Sequence, residues 1–359
     1  MEERDEYQKL KDQINTDEQK EWLESLKEEE FEEAFDFRKN EIKESLEDDG
    51  FHMEMIQSVA AAFLKGSDIS EETGYNFLFT EPLVEKGEKN FDVLIYNTES
   101  NSAVFVECKS SISDRSMNGV LEDTEQAIEA VEEHEEYLER QIGDDIDHKG
   151  FVLMTSASDI QKLKDRDWEF NGGDDTCLWY IDIFKQKKIL LERSKGSHNH
   201  KKLAEKMKNG IVVDDRRIDI KLIYNTNNYR AIKKVLIDIL RDNQKMERED
   251  PKEFDKERLA ETLTDMVKMG TSDVDELMVE KAENLEEIAK KCEVIKEGNE
   301  LDYRIVSSYS KVKGIRKDIE SKLINNIASE RAEEDARERA VERFKKGEGS
   351  GQQGLDSFN

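Results

Sequence analysis

Residues 90–111, NFDVLIYNTESNSAVFVECKSS, are the stretch that decides the fold. The runs FDVLIY and AVFVEC are rich in β-branched and aromatic residues, and the polar TESNS between them has the composition of a hairpin loop. The stretch therefore predicts an antiparallel hairpin. Because side chains alternate along a strand, we expect Glu107 and Lys109 on one side of it and Cys108 on the other.

Three chargeable side chains interrupt this apolar hairpin: Asp92, Glu107 and Lys109. Such residues are seldom buried unless they are paired or functional. Two carboxylates beside a lysine suit metal-assisted hydrolysis of a phosphodiester. Asp92 and Glu107 would hold a hard cation, while Lys109 would orient the attacking water or stabilise charge on the phosphorane. For an isolated E-x-K, an exposed pair at the end of an edge strand is the alternative.

The predicted elements around the motif follow the order helix, strand, Asp-bearing strand, Glu-x-Lys-bearing strand, helix, strand. This order, with Asp92 and then Glu107-Cys108-Lys109 after a turn, resembles the core of the PD-(D/E)XK, or restriction-endonuclease-like, nuclease superfamily. One departure is Phe91, which stands where the motif has proline. The resemblance implies that Asp92, Glu107 and the backbone carbonyl of Cys108 bind Mg²⁺ or Mn²⁺, and that Lys109 assists the nucleophile.

The resemblance adds two outlying candidates. Glu54 lies on the helix predicted over residues 52–65, where many members of the superfamily carry a further acidic residue that helps to hold a metal. A solvated helix carboxylate is the alternative. Gln126 lies on the helix that follows Lys109, where some relatives place a glutamine, although the spacing here is longer than usual and a helix that only packs on the sheet is the alternative.

The 359 residues leave room for two or three domains. The chain carries 56 basic and 86 acidic residues, for a formal net charge of -30. Affinity for DNA comes largely from neutralised phosphates. Either the acidic residues lie away from the substrate, or the protein works in high salt, where an acidic surface keeps it in solution. The composition leaves both explanations open.

Cysteine spacing and hydropathy argue against other classes of protein. Cys108, Cys177 and Cys292 lack CxxC spacing, so neither a disulfide framework nor a structural zinc site is predicted. No apolar run approaches the roughly 18 residues of a membrane span. The first residues, MEERDEYQKL, are unlike a signal peptide. We expect a cytoplasmic protein with no membrane partner.

The predicted organisation has five consecutive parts. Residues 1–50 form charged helices, which either pack on the nuclease core or serve as a dimerisation arm. Residues 51–195 form an α/β nuclease-like domain, a mixed sheet flanked by helices, and residues 196–250 form a basic connecting segment. A mainly helical, winged-helix-like domain follows over residues 251–327, and residues 328–359 form a charged helix and a disordered tail.

The connecting segment contains the most basic stretch of the chain. Basic residues and tyrosines are interleaved there, which suits a surface that faces duplex DNA, although a helix with solvated lysines is the alternative. The candidate DNA-binding residues are Arg216, Arg217, Lys221, Lys233 and Lys234. Nearby, His198 and His200 lack the further ligands of a metal site, which favours a basic linker.

Residues 251–327 read as three helices and a hairpin, an order that resembles a winged helix. In that fold the last helix before the wing enters a major groove. Here that helix includes NLEEIAKK, residues 284–291, whose two glutamates and two lysines favour a protein partner as much as DNA.

The expected activity is that of a Mg²⁺-dependent DNA endonuclease in restriction or phage defence. A repair or junction nuclease is one alternative. Another is a non-catalytic DNA- or protein-binding factor that keeps the nuclease fold. The sequence leaves a homodimer open.

Overall fold

The computed structural model describes residues 6–113, 116–164, 175–182, 187–196, 201–214, 220–267, 269–271 and 273–347. The chain forms two units, each made of discontinuous segments. The sheet unit comprises Glu47–Ala231 and Lys256–Leu285, and the helical unit comprises Met1–Leu46, Ile232–Asp255 and Glu286–Asn359. Neither unit coincides with one of the consecutive blocks predicted from the sequence, because three long helices contribute residues to both units.

The first of these helices, α2 (Asp17–Ala62), runs without interruption through the point where the sequence predicts a break, Gly50. A glycine inside a helix costs only about 1 kcal/mol relative to alanine. Gly50 also has a packing reason, since a Cβ there would lie 2.8 Å from Nη1 of Arg230. Nε of that arginine lies 3.2 Å from Oδ2 of Asp49. The close approach of a paired guanidinium explains a glycine in the middle of α2.

Seven strands form the sheet of the sheet unit and follow one another across it in chain order. They are β1 (Asn76–Thr80), β2 (Val93–Asn97), β3 (Ser102–Cys108), β4 (His148–Ser156), β5 (Asp175–Asp182), β6 (Lys188–Gly196) and β7 (Ile211–Val212). Strands β3, β4 and β5 are parallel, and the other neighbouring pairs are antiparallel. The predicted mixed sheet is confirmed, and the predicted hairpin is the β2–β3 pair, with Val93 opposite Val106.

Helices cover both faces of this sheet. Alternate residues of β2 and β3 enter two different cores, as Val104 and Phe105 illustrate. The core that contains Val104 includes the end of α2 and α7 (Lys201–Lys208). The core that contains Phe105 includes α4 (Met117–Glu133), α5 (Glu135–Ile142) and α6 (Ile160–Lys164). Cover on both faces accounts for the nearly continuous apolar runs of the central strands.

Two shorter helices complete the sheet unit: α3 (Asp68–Thr73) and α9 (Glu257–Met266), with a 3₁₀ turn at Val84–Lys86. Four further helices contribute wholly or in part to the helical unit besides α2: α1 (Glu6–Gln13), α8 (Asn228–Lys245), α10 (Val274–Lys291) and α11 (Val312–Lys346). The three helices predicted before the hairpin include two short ones over residues 274–291. That part of the prediction is wrong, because α10 is continuous.

A small sheet in the helical unit has three strands: β8 (Glu253–Phe254), β9 (Ile295–Glu297) and β10 (Tyr303–Ile305). β10 lies in the middle and is antiparallel to both neighbours. The hairpin predicted after the last short helix is therefore confirmed as β9 and β10.

The charged N-terminal residues pack against α11 in the helical unit. The guanidinium of Arg38 binds both carboxylate oxygens of Asp335, at 2.6 Å and 2.8 Å. Near the other end of the contact, the rings of Trp22 and Phe344 lie 4.4 Å apart, centroid to centroid. Bidentate pairing and ring contact together hold these two long charged helices side by side.

Some predicted features lie outside the described residues: Arg216, Arg217, His198, His200 and the tail 348–359. Over the ranges that the structure does describe, none of the helices combines the length and the apolar character that crossing a membrane requires.

Candidate functional site

The three predicted catalytic residues lie at the ends of adjacent strands. Asp92 precedes β2, and its N–H donates to the carbonyl of Val106 at 3.0 Å, which places it beside the end of β3. Glu107 is the penultimate residue of β3, and Lys109 follows that strand. The side chains of Asp92 and Glu107 are almost buried, since each residue is only 8 % exposed. The structure therefore brings the predicted carboxylates and lysine together.

One oxygen of Asp92 accepts two hydrogen bonds. The N–H of Cys108 donates to Oδ2 at 2.7 Å, and Nε2 of His52 lies 3.1 Å from the same atom. Among the described residues, no other donor reaches this carboxylate, so Oδ1 faces no competing partner. The side chain of Cys108 is buried in the core that contains α2, on the opposite side from Glu107, as strand alternation predicts.

The carboxylate of Glu107 has one paired and one unpaired oxygen. Its Oε1 lies 2.6 Å from Nζ of Lys109. Its Oε2 is buried and has no hydrogen-bond partner among the described residues. Burial raises the pKa of Glu107 to about 7, the charge of Asp92 adds to the rise, and Lys109 opposes it. The site thus pairs two buried carboxylates with Lys109 and His52 and leaves one oxygen of Glu107 without a donor, where a metal ion would be a suitable partner.

His52 is a site residue that the sequence analysis missed. Burial by itself lowers the pKa of this imidazole, but the neighbouring charges of Asp92 and Glu107 raise it more, to about 9. A single histidine on a helix, far from the hairpin in the chain, carries no local signal of such a role. The only hint is its helical spacing, which puts His52 one turn before the buried Ile56.

The two outlying candidates do not reach the carboxylates. Oε1 of Glu54 is paired with Nζ of Lys187 at 2.7 Å. Residues two apart on a helix do not share a face, so the helix that presents His52 to Asp92 turns Glu54 away. Gln126 is exposed on α4, whose neighbouring residues Ala127 and Ile128 are buried instead.

Glu81 supports the site from the other side of Asp92. Its N–H donates to the carbonyl of Asp92 at 3.1 Å. Its carboxylate, with the residue only 2 % exposed, accepts the N–H groups of Tyr224 at 2.6 Å and Asn225 at 3.0 Å. Burial raises the pKa of Glu81 to about 7, although these two hydrogen bonds oppose the rise. Glu81, which has a left-handed backbone at φ 47°, ties the strand end at Asp92 to a distant segment.

The described DNA-binding candidates are divided between the two units. Lys221 belongs to the sheet unit, whereas Lys233 and Lys234 belong to the helical unit. Nζ of Lys233 lies 3.2 Å from Oε1 of Glu320. Their role in binding DNA stays a prediction.

The donor set for a metal consists of two carboxylates. Over the described ranges, no group of three or more His, Cys, Asp and Glu side chains is arranged to hold a metal ion. Mg²⁺, however, commonly keeps several waters and binds through one or two carboxylates together with substrate phosphate. The unpartnered Oε2 of Glu107 and the open Oδ1 of Asp92 fit a cation of this kind. The carbonyl of Cys108 as a third ligand stays a prediction.

The site is thus a buried cluster of two carboxylates, one lysine and one histidine, which the β2–β3 pair and α2 hold together. No protein-family model matches the chain, and neither curated proteins nor solved structures include a significant match to it.

Proposed function

We propose that the sheet unit is a metal-dependent deoxyribonuclease of the PD-(D/E)XK type, which hydrolyses phosphodiester bonds in DNA. One observation carries the proposal: a buried carboxylate oxygen, Oε2 of Glu107, has no partner beside a second carboxylate and a lysine. A buried carboxylate oxygen is costly to leave without a partner, and a metal ion bound to it would remove that cost. The mixed sheet, with the Asp-bearing and Glu-x-Lys-bearing strands adjacent, supports the resemblance to the superfamily.

Each residue of the site has a distinct role in this proposal. Asp92 and Glu107 hold Mg²⁺ or Mn²⁺, which when bound supplies Lewis-acid polarisation of the phosphate and a more acidic water. The ammonium of Lys109, next to Glu107, orients the attacking water and offsets charge on the phosphorane. The imidazole of His52 and the N–H of Cys108 fix the orientation of Asp92. Glu81 keeps the start of β2 in place.

We also propose that the C-terminal elements form a winged helix and that the protein acts in restriction or phage defence. Within residues 251–327, two helices, α9 and α10, precede the hairpin of β9 and β10 in place of the three predicted, and the antiparallel pairing of β10 with β8 and β9 supports this assignment. The test is phage plating on cells that express the parent or a Lys109→Met variant. Protection by the parent alone supports defence, and equal plating on both strains contradicts it.

The decisive test of the nuclease is cleavage of supercoiled plasmid, linear duplex, single-stranded DNA and RNA with Mg²⁺, Mn²⁺ or EDTA. The chain offers a matched control for Lys109→Met, namely Lys149→Met. Lys149 is a half-buried lysine on the neighbouring strand β4, and its Nζ lies 2.7 Å from Oε2 of Glu135. We expect Lys109→Met to lose about 100-fold or more in rate, as for loss of a proton-transfer or charge-stabilising group. Lys149→Met should retain the parental rate.

Circular dichroism and melting temperature establish whether each variant is folded. Equal loss of cleavage in both lysine variants would mean that the losses come from destabilisation. If the parent is folded and binds DNA but cuts no substrate with either metal, the nuclease proposal is wrong and the protein is a binding factor that keeps the nuclease fold. Preference for RNA over DNA would correct the substrate class.

A further inference from the structure

A cavity of about 590 Å³ lies in the sheet unit beside the end of β1, apart from the residues assigned to catalysis. Its walls come from β1, the turn at Val84–Lys86, helix α5 and residues 269–271. A volume of this size suits a small organic ligand or one nucleotide of a polymer.

Gln141 presents a buried hydrogen-bond acceptor to this region. Its Nε2 lies 2.5 Å from the carbonyl of Gly270, which can only accept, so the orientation of the amide is determined. The same Nε2 donates to the hydroxyl of Tyr137, and that hydroxyl donates to Oε2 of Glu85 at 2.8 Å. The other amide atom, Oε1 of Gln141, is buried and has no partner among the described residues. A ligand with an N–H group would satisfy it.

Gly270 keeps the wall of the cavity close to an aromatic ring. Its N–H donates to the carbonyl of Thr80 at 2.8 Å, which anchors the segment to β1. A Cβ at this position would lie 2.5 Å from the ring of Phe79 and 2.8 Å from Oε1 of Gln141. Only glycine permits this approach. The ring of Phe79 and the unpartnered Oε1 of Gln141 therefore both lie beside Gly270.

Two cations border the cavity. Nζ of Lys86 lies 4.3 Å from the centroid of the Tyr137 ring, and Nε of Arg140 donates to the carbonyl of Glu136 at 3.1 Å. Across the described ranges, neither of these cations takes part in an ion pair with a carboxylate. An anionic group such as a phosphate would complement these two cations.

The cavity lies close to the carboxylates of the site. Phe79 is paired with Leu94 on β2, two residues from Asp92, a separation of about 7 Å along a strand. Glu81, whose N–H binds the carbonyl of Asp92, leads directly into the turn that carries Lys86. A group bound in the cavity is therefore near enough to belong to the strand whose phosphate is cut.

We propose that this cavity binds one nucleotide of the substrate strand, with its phosphate at Lys86 and Arg140 and an N–H of its base at Oε1 of Gln141. This inference rests on the proposed nuclease function. The ring of Phe79 provides the apolar wall for the base. Such a subsite would hold the strand in register next to the scissile bond.

The test measures binding of nucleoside 5′-monophosphates and of a 5′-phosphorylated dinucleotide in EDTA, where no cleavage can occur. We expect Lys86→Ala/Arg140→Ala to weaken binding by roughly tenfold for each lost cation. Lys65→Ala/Lys208→Ala is the matched control, because it removes the same charge from exposed positions of the same unit. Gln141→Met should weaken the binding of nucleotides and leave the binding of inorganic phosphate unchanged. Its melting temperature is measured to confirm that the variant is folded.

Cleavage assays on the same variants separate this inference from the nuclease proposal. A higher KM for Lys86→Ala/Arg140→Ala, with the control unchanged, supports the subsite. Cleavage with the parental KM, or equal nucleotide binding by parent and variant, overturns the subsite while the nuclease stands. If the parent cuts no substrate but binds nucleotides, and this binding needs Lys86 and Arg140, the nucleotide subsite is supported and the nuclease function is rejected.

Discussion

The imidazole of His52 and the carboxylate of Asp92 form one contact, with 3.1 Å between Nε2 and Oδ2, although 40 positions separate them in the chain. The contact joins α2 to the hairpin that carries the proposed catalytic residues. A second donor, the N–H of Cys108, reaches the same oxygen. The carboxylate is therefore oriented from a helix and a strand at once, which leaves its other oxygen free for a ligand.

We expect His52→Ala to lower metal affinity or cleavage by about 10- to 100-fold, the usual effect of losing a residue that orients a metal ligand. His52→Gln should recover part of the loss, because an amide can still donate to Oδ2 of Asp92. The measurement is metal-dependent cleavage with metal titration, and His148→Ala, at an exposed position, is the control. A fully active His52→Ala would show that Asp92 needs no support from α2.

Mg²⁺ or Mn²⁺ should raise the melting temperature of the parent. A ligand present at 100 times its Kd stabilises the folded state by about 2.7 kcal/mol, provided that the unfolded chain does not bind it. Asp92→Asn should abolish the rise because it removes a ligand. Glu54→Gln should retain it, since that carboxylate is paired with Lys187.

Differential scanning fluorimetry at constant ionic strength measures both variants of this metal experiment. If metal no longer raised the melting temperature of Glu54→Gln, Glu54 would be a metal ligand, which would contradict its placement away from the site.

Two glycines test the continuity of α2. Gly50 lies inside the helix and Gly66 lies beyond its end, with a left-handed φ of +82°. We expect Gly66→Ala to destabilise the protein by about 1 kcal/mol, because a Cβ is unfavourable in that conformation. The free energy of unfolding of Gly50→Ala should be within about 1 kcal/mol of that of the parent, because the gain in helix propensity offsets the cost of moving the Arg230 side chain.

Gly50→Pro should destabilise by about 3 kcal/mol or more, since it breaks a continuous helix. Urea unfolding measures the free energy of unfolding for all three variants. A well tolerated Gly50→Pro would indicate that a helix ends there, as the sequence alone suggests.

The buried thiol of Cys292 should make the stability of the protein depend on pH in the alkaline range. Burial raises the pKa of this thiol to about 11, and the nearby Glu330 adds to the rise, against about 8.5 in an unfolded chain. A raised folded-state pKa contributes stability that is present below about pH 8.5 and is lost as pH rises towards 11. The free energy of unfolding should therefore fall less steeply over that range in Cys292→Ala than in the parent. Parallel slopes in urea unfolding would contradict the raised pKa.

The sequence by itself determined the hairpin and the relation of Glu107 to Lys109. Alternation along a strand is a local property, so two charged residues separated by one position must share a side, and their side chains do meet at 2.6 Å. The mixed sheet with helices on both faces followed from similarly local patterns, because apolar periodicity distinguishes strands from helices.

Local patterns were less reliable at the ends of elements. The sequence predicted a helix end at Gly50, and an arginine from a distant helix overrides that signal. It also divided α10 into two helices, although the structure has one. At Gly50, tertiary packing outweighs a propensity of about 1 kcal/mol.

Only the tertiary structure decided which residues surround the carboxylates. His52 lies against Asp92 and Glu54 does not, because the rotation of α2 on the sheet is set by the packing of its apolar face. Glu81 and Gln141 likewise gain their roles from partners far along the chain. The alternation of side chains along a strand depends only on adjacent residues. The environment of a site, in contrast, depends on contacts between segments that the chain brings together only when it folds.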